Sequence, residues 1–222
     1  MVHFYYFISR KPELSEKEFH RYWREVHGPI AARIPQFRRY IQSHRIPFAG
    51  SNLPFDGAAE IWLDDIEAVV DLRHEPIFRD GALRDEPNFI DIDRVEWVVS
   101  DDHVMLDGPQ GAGMAKAVFR FRHKPGMRLK HFRRYWLDVH AALGLKIPGL
   151  RRYVQSHTVD AAYLYAEPRW DAIAQLWFDD ERGLEAALKS RHWNERVLPD
   201  GYEFIEMESL TWFAAREHHV IR

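Results

Sequence analysis

The sequence contains no cysteine. That rules out disulfides, thiolate nucleophiles and cysteine-ligated zinc or iron-sulfur centres. It also has no apolar run near the roughly 20 residues of a membrane-spanning helix, and Met1 to Arg10 lacks a charged-then-apolar leader. A soluble, cytoplasmic protein without a membrane partner is therefore the expectation. No surplus of positive charge is present: 31 Lys and Arg stand against 34 Asp and Glu, a formal net charge of -3. This gives no electrostatic footing for nucleic acid. Glycine-rich phosphate loops and Gly-x-Ser-x-Gly elbows are missing too, which disfavours nucleotide-dependent and acyl-transfer chemistry.

What the chain does have is aromatic side chains, at 14% with 8 Trp and 14 Phe, and one stretch that occurs twice. Phe19, Tyr22, Trp23, Val26, His27, Ile34, Pro35, Arg38, Arg39, Tyr40, Gln42, Ser43 and His44 recur 113 positions later as Phe132 through His157. Trp62-Leu63-Asp64-Asp65 recurs as Trp177-Phe178-Asp179-Asp180, at an offset of 115, so the second copy carries a loop longer by two residues. The chain is a tandem duplication. The Gly- and Pro-containing stretch from Asp107 to Gly113 marks the joint between domains expected at 1–106 and 114–222.

Within the first copy, Val2–Ile8 reads as a strand closed by the turn at Ser9 to Pro12. Ser15 and Glu18 form a capping-box signature, and Phe19, Tyr22, Trp23, Val26 and Ile30 follow helical spacing. Gly28-Pro29 is expected to bend or interrupt that helix near His27. A second strand, 37–46, puts Arg38, Tyr40, Gln42 and His44 on one face. A third, Gly57–Leu63, is followed by a helix from Asp65 to Leu72, a loop over 79–88 and a last strand over 93–99. The clearer second-copy helix runs from Glu181 to Arg191. The order strand, helix, strand, strand, helix, strand is that of a ferredoxin-like unit. The expected fold class is α+β: two tandem ferredoxin-like βαββαβ units packed as an intrachain dimeric α/β barrel, each covering the other's open face.

Tyr22-Trp23-Arg24-Glu25-Val26-His27-Gly28-Pro29, with Pro35 and Arg39-Tyr40-Ile41-Gln42-Ser43-His44, resembles the EthD family of the dimeric α/β-barrel superfamily, over both halves. The resemblance implies a mostly cofactor-free protein acting on apolar or aromatic molecules. Similar proteins include those of ether degradation, polyketide dehydratases and cyclases, and lactone isomerases. The second copy departs from the motif, with His140-Ala141-Ala142 in place of His27-Gly28-Pro29, and Gln175 in place of Glu60. One working site, in the first copy, and one scaffold are expected.

Histidine is the side chain best suited to proton transfer near neutral pH. Of 13 histidines, three pairs recur: His27 with His140, His44 with His157, and His103 with His218. The row on the second strand suggests His44 as general acid or base, with Tyr40 and Gln42 holding a substrate oxygen; His157, Tyr153 and Gln155 are its counterparts. The row also has a purely structural reading, since buried polar groups need partners whatever they do. His27 lies at a helix end, where it can cap carbonyls or serve the site. His103 and His218 are placed at strand ends, in structural or exposed positions. Trp23, Trp136 and Trp62 are candidate pocket walls, with core packing the competing role. No metal site is expected, because no His-x-x-x-His pair or carboxylate cluster accompanies the histidines.

The function expected is cofactor-independent acid-base catalysis by a lyase, cyclase or isomerase on a small aromatic or polyketide-like substrate. Two alternatives stand beside it. One is a cofactor-free or haem-using monooxygenase of aromatic substrates; the other is a non-catalytic protein binding an apolar metabolite. Association of two chains into a homodimer stays open.

Overall fold

Strand alternation and helix capping set the local structure. The computed structural model describes residues 1–164 and 167–222. Unit 1 comprises Met1–Arg45, Pro54–Ser100 and Glu217–Arg222. In it β1 (Val2–Ile8) lies between β3 (Gly57–Leu63) and β4 (Glu96–Leu106), and β2 (Arg39–Arg45) pairs with β3, all antiparallel. Unit 2 comprises Ile46–Leu53 and Asp101–Arg216. There β5 (Ala115–Phe121) lies between β7 (Ala172–Phe178) and β8 (Thr211–Ile221), with β6 (Arg152–Thr158) on β7, again antiparallel. The hydrogen-bonded order β1-β3-β2-β8-β5-β7-β6-β4 closes on itself as a barrel of eight strands.

The helices follow the same plan in each unit. Unit 1 carries α1 (Glu16–Tyr22), α2 (Gly28–Ala31), α3 (Ile66–Asp71) and α4 (Leu83–Asp85). Unit 2 carries α5 (Leu129–Tyr135), α6 (Ala141–Gly144), α7 (Glu181–Lys189) and α8 (Leu198–Phe204). The capping box of α1 is formed, Ser15 Oγ accepting from Glu18 N at 3.2 Å and Glu18 Oε2 from Ser15 N at 2.9 Å. Asp65 and Asp180 cap α3 and α7 with the side chain alone, accepting from Ala68 N and Gly183 N. Phe19 and Phe132, fully buried, fix the helices to their sheets, each worth about 1.5–3 kcal/mol of transfer free energy.

Gly28-Pro29 does not interrupt the first helix. Between α1 and α2 the chain makes a π turn, Trp23–His27, and continues. The second copy makes the same turn, Trp136–His140, without a Gly-Pro pair. The cause lies elsewhere: the Trp23 carbonyl accepts from Gly28 N–H and also from Gln42 Nε2 at 2.8 Å, and the Trp136 carbonyl accepts from Ala141 N–H and from Gln155 Nε2 at 3.0 Å. A side-chain amide on β2 or β6 takes a share of the carbonyl and stabilises the wider turn.

Residues 79–88, expected as a loop, are helical. They complete a π turn at Ile77–Ala82, then α4, then a 3₁₀ turn at Glu86–Asn88. Pro87 breaks nothing because it sits in the first turn, where its missing N–H is not needed. β4 and β8 also extend beyond the expected strand ends, so His103 and His218 lie inside strands.

Candidate functional site

On β1, Phe4, Tyr6 and Ile8 share one face; on β3, Ala59 and Ile61; on β2, Tyr40. Together with Trp23, His27, the helical run 77–88 and Ile90 they enclose a cavity of about 250 Å³ in unit 1. Trp97, 61% exposed, stands at its mouth. Most of the wall is aromatic or aliphatic, which suits a flat apolar molecule. The polar lining consists of Tyr6, His27, Tyr40 and Glu86, with the indole of Trp23 beside them.

His27 ends the π turn, which aims its ring at α4. Asp85 Oδ2 accepts from its Nδ1 at 3.0 Å, and Asp85 Oδ1 accepts from Tyr22 Oη at 2.7 Å and Asn88 Nδ2 at 3.0 Å. With Nδ1 carrying the proton, Nε2 keeps its lone pair and is free to act as a base. Burial pushes the His27 pKa down against the pull of Asp85, so the ring is neutral near pH 7. Burial alone would raise Asp85, but hydrogen bonds from Tyr22, Asn88 and His27 hold it below the usual carboxylate range.

Tyr40 is fixed from behind. Its oxygen accepts from Trp23 Nε1 at 3.1 Å and from Gln42 Nε2 at 3.2 Å. Both acceptor positions are used, and its own proton has no acceptor among the described residues, so that proton is left to point into the cavity. Burial pushes the Tyr40 pKa up to about 12, and it stays a protonated donor. The chain of bonds runs further back: His44 Nε2 donates to Gln42 Oε1 at 3.1 Å, which leaves His44 Nδ1 to accept from His20 Nδ1 at 2.8 Å.

Glu86 is the fourth polar group. It is 6% exposed, accepts from Tyr6 Oη at 2.9 Å, and has its pKa raised to about 7, by burial first and then by the neighbouring Asp85 charge. A carboxyl group that changes protonation near neutrality is suited to passing a proton.

The structure brings together three of the residues proposed from sequence in the first cavity and two in the second, but not all. Trp23, His27 and Tyr40 line the first cavity, and Trp136 and Tyr153 line the corresponding one in unit 2. Gln42 and His44 stand behind Tyr40, and Gln155 and His157 behind Tyr153, with Gln155 donating to Tyr153 Oη at 2.8 Å and His157 Nε2 3.3 Å from Gln155 Oε1. Trp62 lies on the opposite face of β3 from Ala59 and Ile61, stacked on His3 at 3.8 Å. Glu60, on that same opposite face, accepts from Ser43 Oγ. Asp85, Glu86 and Tyr6 escaped sequence reasoning. The signal was present: at the two offsets Tyr6 becomes Phe119 and Glu86 becomes Gly201, whereas Asp85 becomes Asp200.

Residues 11–93 and 124–208 each match the EthD domain model. The chain belongs to the EthD family. It carries two EthD domains in tandem, and the cavity described above lies in the first. No curated protein matches the sequence. Among solved structures, the EthD pair is similar to an anthrone oxidase-like protein (11% identity, TM-score 0.65, covering 100% of this chain and 93% of that one). It is also similar to a candidate monooxygenase from Fusobacterium nucleatum subsp. nucleatum (8% identity, TM-score 0.61, 99% and 92% covered). A third is a mutant chlorite dismutase from Candidatus Nitrospira defluvii in complex with cyanide (9% identity, TM-score 0.52, 99% and 91% covered). At these identities the likeness is one of fold, and that fold is shared by several enzyme families.

Among the described residues no group of three or more His, Asp or Glu side chains is arranged to hold a metal ion. The lining of the first EthD cavity contains no lysine or arginine to meet the carboxylates of a haem. Haem does not fit these residues, and no step below is routed through it.

Proposed function

We propose that the first EthD domain is a cofactor-free monooxygenase of small, enolisable hydroxyaromatic compounds, of which anthrones are a model class. The observation that carries this reading is the convergence on one aromatic cavity of a base, His27 Nε2 backed by Asp85, and a donor, the Tyr40 hydroxyl. The acid-base chemistry suggested by the sequence becomes the first step. His27 takes a proton from the carbon beside or conjugated to a carbonyl, while Tyr40 donates to the carbonyl oxygen as charge develops there. In a dry cavity that hydrogen bond is stronger than in water, and it favours the enolate.

The electron-rich enolate carbon then passes an electron to dioxygen, and the two radicals combine into a carbon-bound hydroperoxide after His27 returns its proton. His27, neutral again, takes the second proton from that carbon as the O–O bond breaks, Glu86 protonates the departing hydroxide, and the proton held by His27 restores the Glu86 carboxyl. The net change is one CH₂ and one O₂ converted to one C=O and one water. Likeness to an anthrone oxidase-like protein and to a candidate monooxygenase supports oxygenation as the outcome.

Oxygen uptake on adding anthrone, with product mass, tests the reading. The expected result is one O₂ consumed per ketone formed, lost in His27→Ala and Tyr40→Phe. Turnover of such a compound without oxygen uptake would instead favour the lyase, cyclase or isomerase reading, because the same base and donor serve enolisation alone.

A further inference from the structure

Unit 2 has its own cavity in the corresponding place, of about 60 Å³, lined by Phe119, Trp136, His140, Tyr153, Gly201 and Met207 among others. Its fixed polar groups repeat those of the first. Asp200 accepts from His140 Nδ1 at 2.7 Å and from Tyr135 Oη at 2.8 Å, so His140 Nε2 keeps a lone pair. Tyr153, 2% exposed, accepts from Gln155 Nε2 at 2.8 Å, and its own proton has no acceptor among the described residues. A buried hydroxyl proton without a partner is a cost of desolvation that an acceptor inside the cavity would remove.

The difference between the cavities is equally specific. Phe119 and Gly201 stand where the first has Tyr6 and Glu86, so the carboxyl and its hydroxyl partner are both gone. The space is also too small for the first cavity's ligand. An apolar cavity of about 150 Å³ holds one benzene, so one of about 60 Å³ takes less than an aromatic ring.

We propose that unit 2 is a second, separate binding site, for an uncharged carbonyl compound of acetaldehyde size whose oxygen accepts from Tyr153. The site does not depend on the activity of the first cavity. Its walls exclude charged ligands, since no cationic or anionic side chain lines it. Specificity comes from one hydrogen bond and from size. Among the described residues Tyr153 is the only hydroxyl lining it, so a hydrocarbon of the same shape leaves the proton unmet.

The test is a titration of the full chain with carbonyl-¹³C-labelled acetaldehyde, followed by ¹³C NMR. Wild type is expected to give a saturable downfield carbonyl shift with a Kd on the order of 1 mM, in keeping with so few ligand atoms. Tyr153→Phe should abolish the shift and weaken binding about tenfold, the loss expected for one hydrogen bond. Gly201→Leu should block the site. Gly201→Ala, whose methyl group would meet Ile205 and Met207 at 3.6 Å, should fold as wild type and bind less tightly, which guards against reading a misfolded Leu variant. Tyr40→Phe should leave the titration unchanged. Absence of saturable binding, which would mean that water alone fills the cavity, overturns the proposal. So does binding that keeps wild-type strength in Tyr153→Phe, that survives Gly201→Leu, or that is lost with Tyr40→Phe.

Discussion

Gln42 Nε2 lies 3.2 Å from Tyr40 Oη while the same nitrogen reaches the Trp23 carbonyl at 2.8 Å. One amide therefore stabilises the π turn that aims His27 and also fixes the direction of the Tyr40 proton. Gln42→Leu should remove both effects. Leaving a buried carbonyl and hydroxyl short of a partner costs about 1–3 kcal/mol each. A fall in the urea midpoint without a change in m-value, together with weaker substrate binding, is the expected outcome. Gln155→Leu should lower stability alike while leaving first-site turnover unchanged, since Gln155 serves Tyr153.

His27 and His44 should separate in an activity assay. His27 touches the cavity and His44 is two side chains behind it. Loss of a general base lowers kcat by about 10²–10⁴, so His27→Ala should fall in that range in oxygen uptake with anthrone. His44→Phe should stay within about tenfold of wild type, with the change in KM rather than kcat. Equal losses in both would move the base assignment to His44.

Glu86 should weaken the protein at alkaline pH. Its folded pKa of about 7 lies above the ordinary value of 4.5, so the folded state binds more protons in between, and stability falls as pH rises through that window. Glu86→Gln should therefore raise Tm at pH 8 and change it little at pH 4.5. The shift of roughly 2.5 pH units sets an upper bound of about 3 kcal/mol on the gain. The same variant should slow oxygenation, if Glu86 protonates the leaving hydroxide. A Tm difference independent of pH would contradict the buried carboxyl.

Acid should destabilise the fold through histidine. His20, His27, His44, His140, His157 and His218 all have lowered pKa values with burial as the leading cause, His157 to about 3. Around His44 the charges of His20, Arg24 and His218 add to it, while Glu16 and Asp56 pull His20 the other way. For a depressed histidine the unfolded state binds more protons below about pH 6.5. Stability is then full above that pH and falls as pH drops. Six histidines outweigh the opposite slope of Glu86, so Tm should decrease from pH 7 to pH 5. His44→Phe should flatten that decrease; an unchanged slope would show that the cluster is solvated.

Much of this molecule could be read directly from the sequence. The duplication, the strands at 2–8 and 57–63, the capping box and the row of Tyr40, Gln42 and His44 on one face follow from spacing, because strand and helix periods are local properties of the chain. EthD membership was also legible in the Trp23 to His44 motif. The helical run over 77–88 was hidden by Gly81 and Pro87, whose breaker character depends on their place within a turn.

The site itself needed the tertiary structure. Sequence placed Tyr40, Gln42 and His44 together and put the proton transfer on His44, but burial and hydrogen-bond direction decide which of them faces a cavity. Tyr6 and Glu86 lie 80 residues apart and meet only because β1 and the turn after α4 pack across the same space. Pairings that distant leave no periodic trace in the chain. They exist because folding brings desolvated groups within reach of each other, and that same desolvation gives Glu86 its protonation near pH 7.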